Sequence, residues 1–136
     1  MRQRMLAVLL ILFSANLPAR EFPIEIIESV DSSRVIAFID EDDIDNSAHW
    51  VPFESAPPLA VADALKAIRE HLAGDQAYAN AGLTAIELKP IPQHEKHWHY
   101  LVKINTRTDD KTVFHYFIVL MDGKVIGGLR EPQAVK

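Results

Sequence analysis

The chain of 136 residues has no cysteine, which excludes a disulfide framework, a thiolate nucleophile, a zinc ribbon and a lipid anchor on cysteine. Glycine is scarce, with five residues against eight prolines. Gly127-Gly128 has no following helix or Lys-Ser/Thr pair, so a phosphate-cradling loop is absent. Ser29, Ser32, Ser33, Ser47 and Ser55 fall in turn or linker contexts, and none stands in Gly-x-Ser-x-Gly. With no nucleophile beside an oriented base and no carboxylate pair at a recognisable separation, no catalytic residue and no cofactor is expected. Basic residues are outnumbered, 14 against 19 acidic, and they do not cluster, so nucleic acid is not an expected partner. The unbroken apolar run Met5 to Phe13 is nine residues long, well short of the roughly 20 that cross a bilayer as a helix.

That run has a different meaning. Arg2 and Arg4 precede it, and Ser14-Ala15-Asn16-Leu17-Pro18-Ala19 follows as a polar, helix-breaking stretch. The order matches a secretory signal peptide over residues 1–19, cut after Ala19. The expected location is the periplasm or the exterior, with no stable membrane span in the mature form. Cleavage removes two arginines and no acid, moving the formal charge from −5 to −7. A mature chain of this size can bury a core without covalent staples.

Two further segments are expected, an N-terminal hairpin with an acidic linker (20–54) and a main domain (55–136). Ile24, Ile26, Ile27 and Val30, then Asp31-Ser32-Ser33-Arg34, then Val35 to Ile39 read as two strands around a turn. Asp40 to Asp45 carries five acids in six residues. It lacks the glycine and closing glutamate of a calcium loop and reads as a solvated connector. Residues 47–58 are linker-like, with Pro52, Pro57 and Pro58 among His49, Trp50 and Phe53, whose rings should dock on the domain's flank.

Leu59, Ala62, Leu65, Ile68 and Leu72 recur at helical spacing, predicting one amphipathic helix that Gly74 ends, with a short helical turn near Gln76 to Ala81. The period then falls to two. Leu83 to Lys89 alternates until Pro90 and Pro92. Trp98, Tyr100, Val102 and Ile104 form an apolar face, Thr106 to Lys111 a loop, and Val113 to Met121 a strand apolar on both faces. Asp122-Gly123 signals a hairpin into Lys124-Val125-Ile126. The fold class is therefore α+β: one main helix packed on a three- to four-stranded antiparallel sheet, αβββ, with the N-terminal β-hairpin added. Trp98, Tyr100, Ile118 and Leu120 are expected to face the helix. Val113, Phe117 and Val119 on the second face then need another cover: the hairpin, a second copy of the chain or a protein partner.

Residues 55–130 resemble the αβββ unit of PepSY-like and cystatin-like domains, through the helix Val61 to Ile68, the aromatic strand Trp98-His99-Tyr100-Leu101-Val102 and the segment Tyr116 to Ile126. The resemblance implies a small exported domain that binds rather than catalyses. It brings no inhibitory residue, because the Gln-Val-x-Val-Gly loop of cystatin-like inhibitors has no counterpart here.

Histidine is the one residue type suggesting chemistry. His97 and His99 share a strand face, and His115 is expected beside them on the next strand, a set of imidazoles that suits zinc or copper. The sequence thus predicts an exported, non-enzymatic binding or accessory module, with a periplasmic metal-binding protein using His97, His99 and His115 as the alternative.

Overall fold

The computed structural model describes residues 23–30 and 33–131. The expected signal segment, the Asp31-Ser32 part of the first turn and residues 132–136 lie outside the described residues. The architecture is α+β and mostly strand, with two antiparallel sheets and one main helix. Strands β1 (Ile24–Val30) and β2 (Ser33–Ile39) pair with each other, and β2 pairs with β7 (Leu129–Glu131). The larger sheet has the order β3 (Gly82–Ile91), β4 (His94–Thr108), β5 (Lys111–Leu120), β6 (Val125–Gly127). Helix α1 (Glu41–Asp45) and helix α2 (Val61–Leu72) lie between the sheets in sequence, and a single 3-10 turn, Gln76–Tyr78, follows α2.

The acidic stretch is more structured than its composition suggests. The Asp40 carbonyl accepts from the amides of Asp43 and Ile44, starting α1, and the Asp43 carboxylate accepts from the Asp40 amide and from Lys124 Nζ. Asp43 and Ile44 are buried. Asp43 escapes a solvated fate because the turn after β5 delivers a cation to it, and the carboxylate raises the Lys124 pKa in return.

Pro90 does not end β3, which continues through it to Ile91, with Pro90 opposite Trp98. β3 is an edge strand of its sheet, so a residue without an N–H is tolerated there. Gln93, at φ 64° after Pro92, turns the chain into β4.

The segment Thr106 to Lys111 is not a loop. The β4–β5 ladder runs unbroken to Thr108 opposite Lys111, closed by Asp109 and Asp110, whose φ angles are both positive at 45° and 67°. This two-residue turn sets the parity of β5 and reverses the expected faces. Phe117 lies opposite Val102, and Val119 opposite Tyr100. Those four side chains, with Ile104 and Met121, share one core cluster with Ala64 and Ile68 of α2. Ile118 and Leu120 point the other way, into a cluster with Leu101, Ile91, Ile44 and the inward residues Ile24, Ile26, Val35, Ala37 and Ile39 of β1 and β2. Residues of both sheets thus share this second cluster. The Tyr100 hydroxyl, inside the first cluster, donates to the Leu59 carbonyl at 2.6 Å and ties β4 to the start of α2.

The chain passes from one sheet to the other at Gly128, whose amide donates to the Tyr116 carbonyl at 2.8 Å. A Cβ at this position would lie 2.5 Å from Val35 Cγ1 and 3.0 Å from the Tyr116 carbonyl oxygen. The Gly128→Ala protein is therefore expected to be less stable by about 1–3 kcal/mol, the usual cost of overpacking. Urea unfolding checks this, and an unchanged midpoint would mean that the sheets do not meet this closely.

Candidate functional site

The structure separates the histidines that the sequence groups together. His97 and His99 lie on the β4 face that meets β1 and β2, in parity with Leu101. His115 lies opposite Ile104, on the α2 face. Its Nε2 is 2.8 Å from Thr106 Oγ1, and its ring meets Tyr78 edge-on at 5.0 Å. The expected set of His97, His99 and His115 is not assembled, because the Asp109-Asp110 turn puts His115 out of parity with the other two.

A different group forms instead. His49 makes an isolated bridge with His97, their rings perpendicular at 4.5 Å, and His94 lies 6.4 Å from His97. The adjacent Trp50 donates its amide to the Lys96 carbonyl at 3.0 Å, stacks edge-on against Trp98 at 5.0 Å and gives its indole N–H to the Ser55 carbonyl. These contacts hold the 47–58 segment against β4 as expected. Phe53 departs from that expectation: it stands fully exposed at φ 72°. Among the described residues, no three His, Cys, Asp or Glu side chains are placed to hold a metal ion. Burial first, then the neighbouring His49 and His94, lower the His97 pKa. His49 could not be paired with His97 from sequence, because it sits in an irregular segment with no period to aim it.

His99 is 1% exposed, and neither ring nitrogen has a hydrogen-bond partner. Burial, helped by the charge of Lys89, lowers its pKa from 6.5 to about 4. It is a neutral core residue between the sheets.

An open groove lies beside α2. It has a volume of about 660 Å³ and runs between the helix and the β3 side of the large sheet. Leu65, Ile68 and Leu72 form its helical wall, Val102 and Ile104 its floor and Leu83 its far side, with the turn Gly74 to Tyr78 closing one end. Its volume is that of a small-molecule or side-chain pocket. α2 lies nearest β5 and β6, and from β3 the groove is lined by Gly82 and Leu83 at the strand's start. Ala62, Ala73, Ala79 and Ala81 along the rim are too small to fill the space. Leu83 is 51% exposed. Lys66 and Arg69 are the cations at the rim.

His99 also fixes a pH dependence. Its folded pKa lies below the unfolded value, so the unfolded chain binds the proton more readily, and its contribution is present above pH 6.5 and lost as pH falls toward 4. The loss from this group is about 3 kcal/mol by the linkage relation. His97 and His115, both also held below the ordinary imidazole value, act in the same direction. The His99→Leu variant is expected to match or exceed the wild type at pH 7 and to lose most of the extra acid sensitivity. Urea unfolding at several pH values measures both, and an equally steep acid loss in the variant would contradict this account.

No protein-family model, no curated protein and no solved structure matches this chain.

Proposed function

We propose that the chain is an exported, non-enzymatic binding module of the PepSY-like αβββ type. In this reading α2 lies on one face of the four-stranded sheet, and an N-terminal hairpin covers the other. The two core clusters support that arrangement, since each joins one face of β4 and β5 to a different cover. The observation that carries the binding role is the groove of about 660 Å³ between α2 and β3, apolar along its walls and floor. The proposed occupant is an extended apolar peptide segment. Gly82 and Leu83, at the start of β3, border the groove; β3 is the edge strand of its sheet, and an edge strand offers backbone N–H and C=O groups to an added strand. Alternate side chains of that strand would enter the groove between Leu65 and Leu83.

Two experiments test the reading. Export predicts that protein recovered from the periplasm or medium has the intact mass of a chain beginning at Arg20, whereas Met1 retained in a membrane fraction would count against it. For the groove, peptides selected from a displayed random library against the purified protein are expected to be apolar and to bind Leu65→Glu at least about tenfold more weakly, the cost of placing a charge against apolar contacts. Leu65 is half-buried, so thermal melting of the variant serves as the folding control. Selected peptides that bind the folded variant as well as the wild type would place recognition elsewhere.

A further inference from the structure

A second pocket, of about 510 Å³, opens on the other side of α2, where the helix, β5 and the crossover to β7 meet. It shares Leu72, Asp75 and Tyr78 with the groove, but its character differs. Arg130 from β7, His71 from α2 and His115 from β5 all line it. In a chain whose acids outnumber its bases, this is a local excess of cationic and imidazole groups. Asp75 is the one carboxylate in the lining, and it accepts the Ala77 amide at 2.9 Å, capping the turn that follows α2. Arg130 Nη2 donates to the Phe114 carbonyl at 2.8 Å. That bond holds the guanidinium in place, leaves its other N–H groups for a ligand, and among the described residues no carboxylate pairs with it. Aromatic rings adjoin the imidazoles: His71 meets Phe117 edge-on at 5.8 Å, and Tyr78 meets both His115 and Phe117, at 5.0 and 6.0 Å.

An anchored guanidinium that shares a pocket with two imidazoles and with aromatic and aliphatic side chains suits a ligand with a charged head and an apolar body. We propose that this pocket binds a small organic carboxylate, its carboxyl group on Arg130 between His71 and His115 and its body against Leu72, Tyr78 and Phe117. The carboxylate matches the planar donor edge of arginine, and the volume lies in the range of small-molecule sites. This site does not depend on the groove.

The test is calorimetric titration of the full chain with phenylacetate, neutral phenylacetamide and inorganic phosphate. Phenylacetate is expected to bind saturably at up to millimolar concentration and at least about tenfold more tightly than phenylacetamide, the scale of one charge-assisted hydrogen-bonded contact. Phosphate, lacking the apolar body, is expected to bind more weakly than phenylacetate. Arg130→Gln should lose about tenfold, and His71→Gln, on the exposed surface of α2, should lose affinity with unchanged melting, so the test survives if Arg130→Gln does not fold. Leu65→Glu, in the groove, should bind phenylacetate normally. Absence of saturable phenylacetate binding, equal binding of the amide or of phosphate, or undiminished affinity in both His71→Gln and a folded Arg130→Gln would overturn the proposal.

Discussion

The β4–β5 ladder sets most of what surrounds it. Both strands carry apolar side chains on both faces: in β4, Tyr100, Val102 and Ile104 on one face and Leu101 on the other, and in β5, Phe117 and Val119 on one and Ile118 and Leu120 on the other. A two-stranded unit of this kind cannot leave either face in water, since each buried aliphatic side chain is worth roughly 1.5–3 kcal/mol. Tyr100, Val102, Phe117 and Val119 share a core cluster with Ala64 and Ile68 of α2, and Leu101, Ile118 and Leu120 share another with residues of β1, β2 and α1. The positive φ angles of Asp109 and Asp110 decide which residues go to which cover, because a slip of one residue would exchange every side chain between the two cores.

Both open sites follow from how these covers fit. A single 12-residue helix is too narrow for a four-stranded sheet. Lying nearest β5 and β6, it leaves the groove beside the start of β3 and the second pocket near β7. The crossover at Gly128 brings Arg130 next to Val35 and against β5, so the second pocket is built by long-range assembly. Lys124, in the turn after β5, meets Asp43 of α1 at the other end of the same core. The two contacts fasten the small sheet and its appended helix to the large sheet at separate points.

The histidines show how parity governs chemistry. His97, His99 and His115 look alike in sequence, yet they occupy three environments: packed against His49, sealed between the sheets, and lining a pocket beside Arg130. Burial lowers the pKa in all three, with different neighbours adding to it. Two of these environments are made by residues from other segments of the chain, His49 beside His97 and Arg130 beside His115.

Periodicity in the sequence was enough to determine the α+β class, one helix carrying Ala62, Leu65, Ile68 and Leu72, though not its start, which falls at Val61 and leaves Leu59 outside, and the strands carrying Tyr100 and Ile118, because the spacing of apolar residues directly reflects which backbone geometry can bury them. Composition likewise excluded thiol chemistry and a phosphate loop, since the required residues are missing. Tertiary structure alone decided the facing of β5, the burial of Asp43, the pairing of His49 with His97 and the assembly of His71, His115 and Arg130. The first depends on a turn of two aspartates that propensity reads as loop. The others depend on contacts between segments far apart in the chain, and the energy of such contacts comes from desolvation and packing that no local pattern encodes.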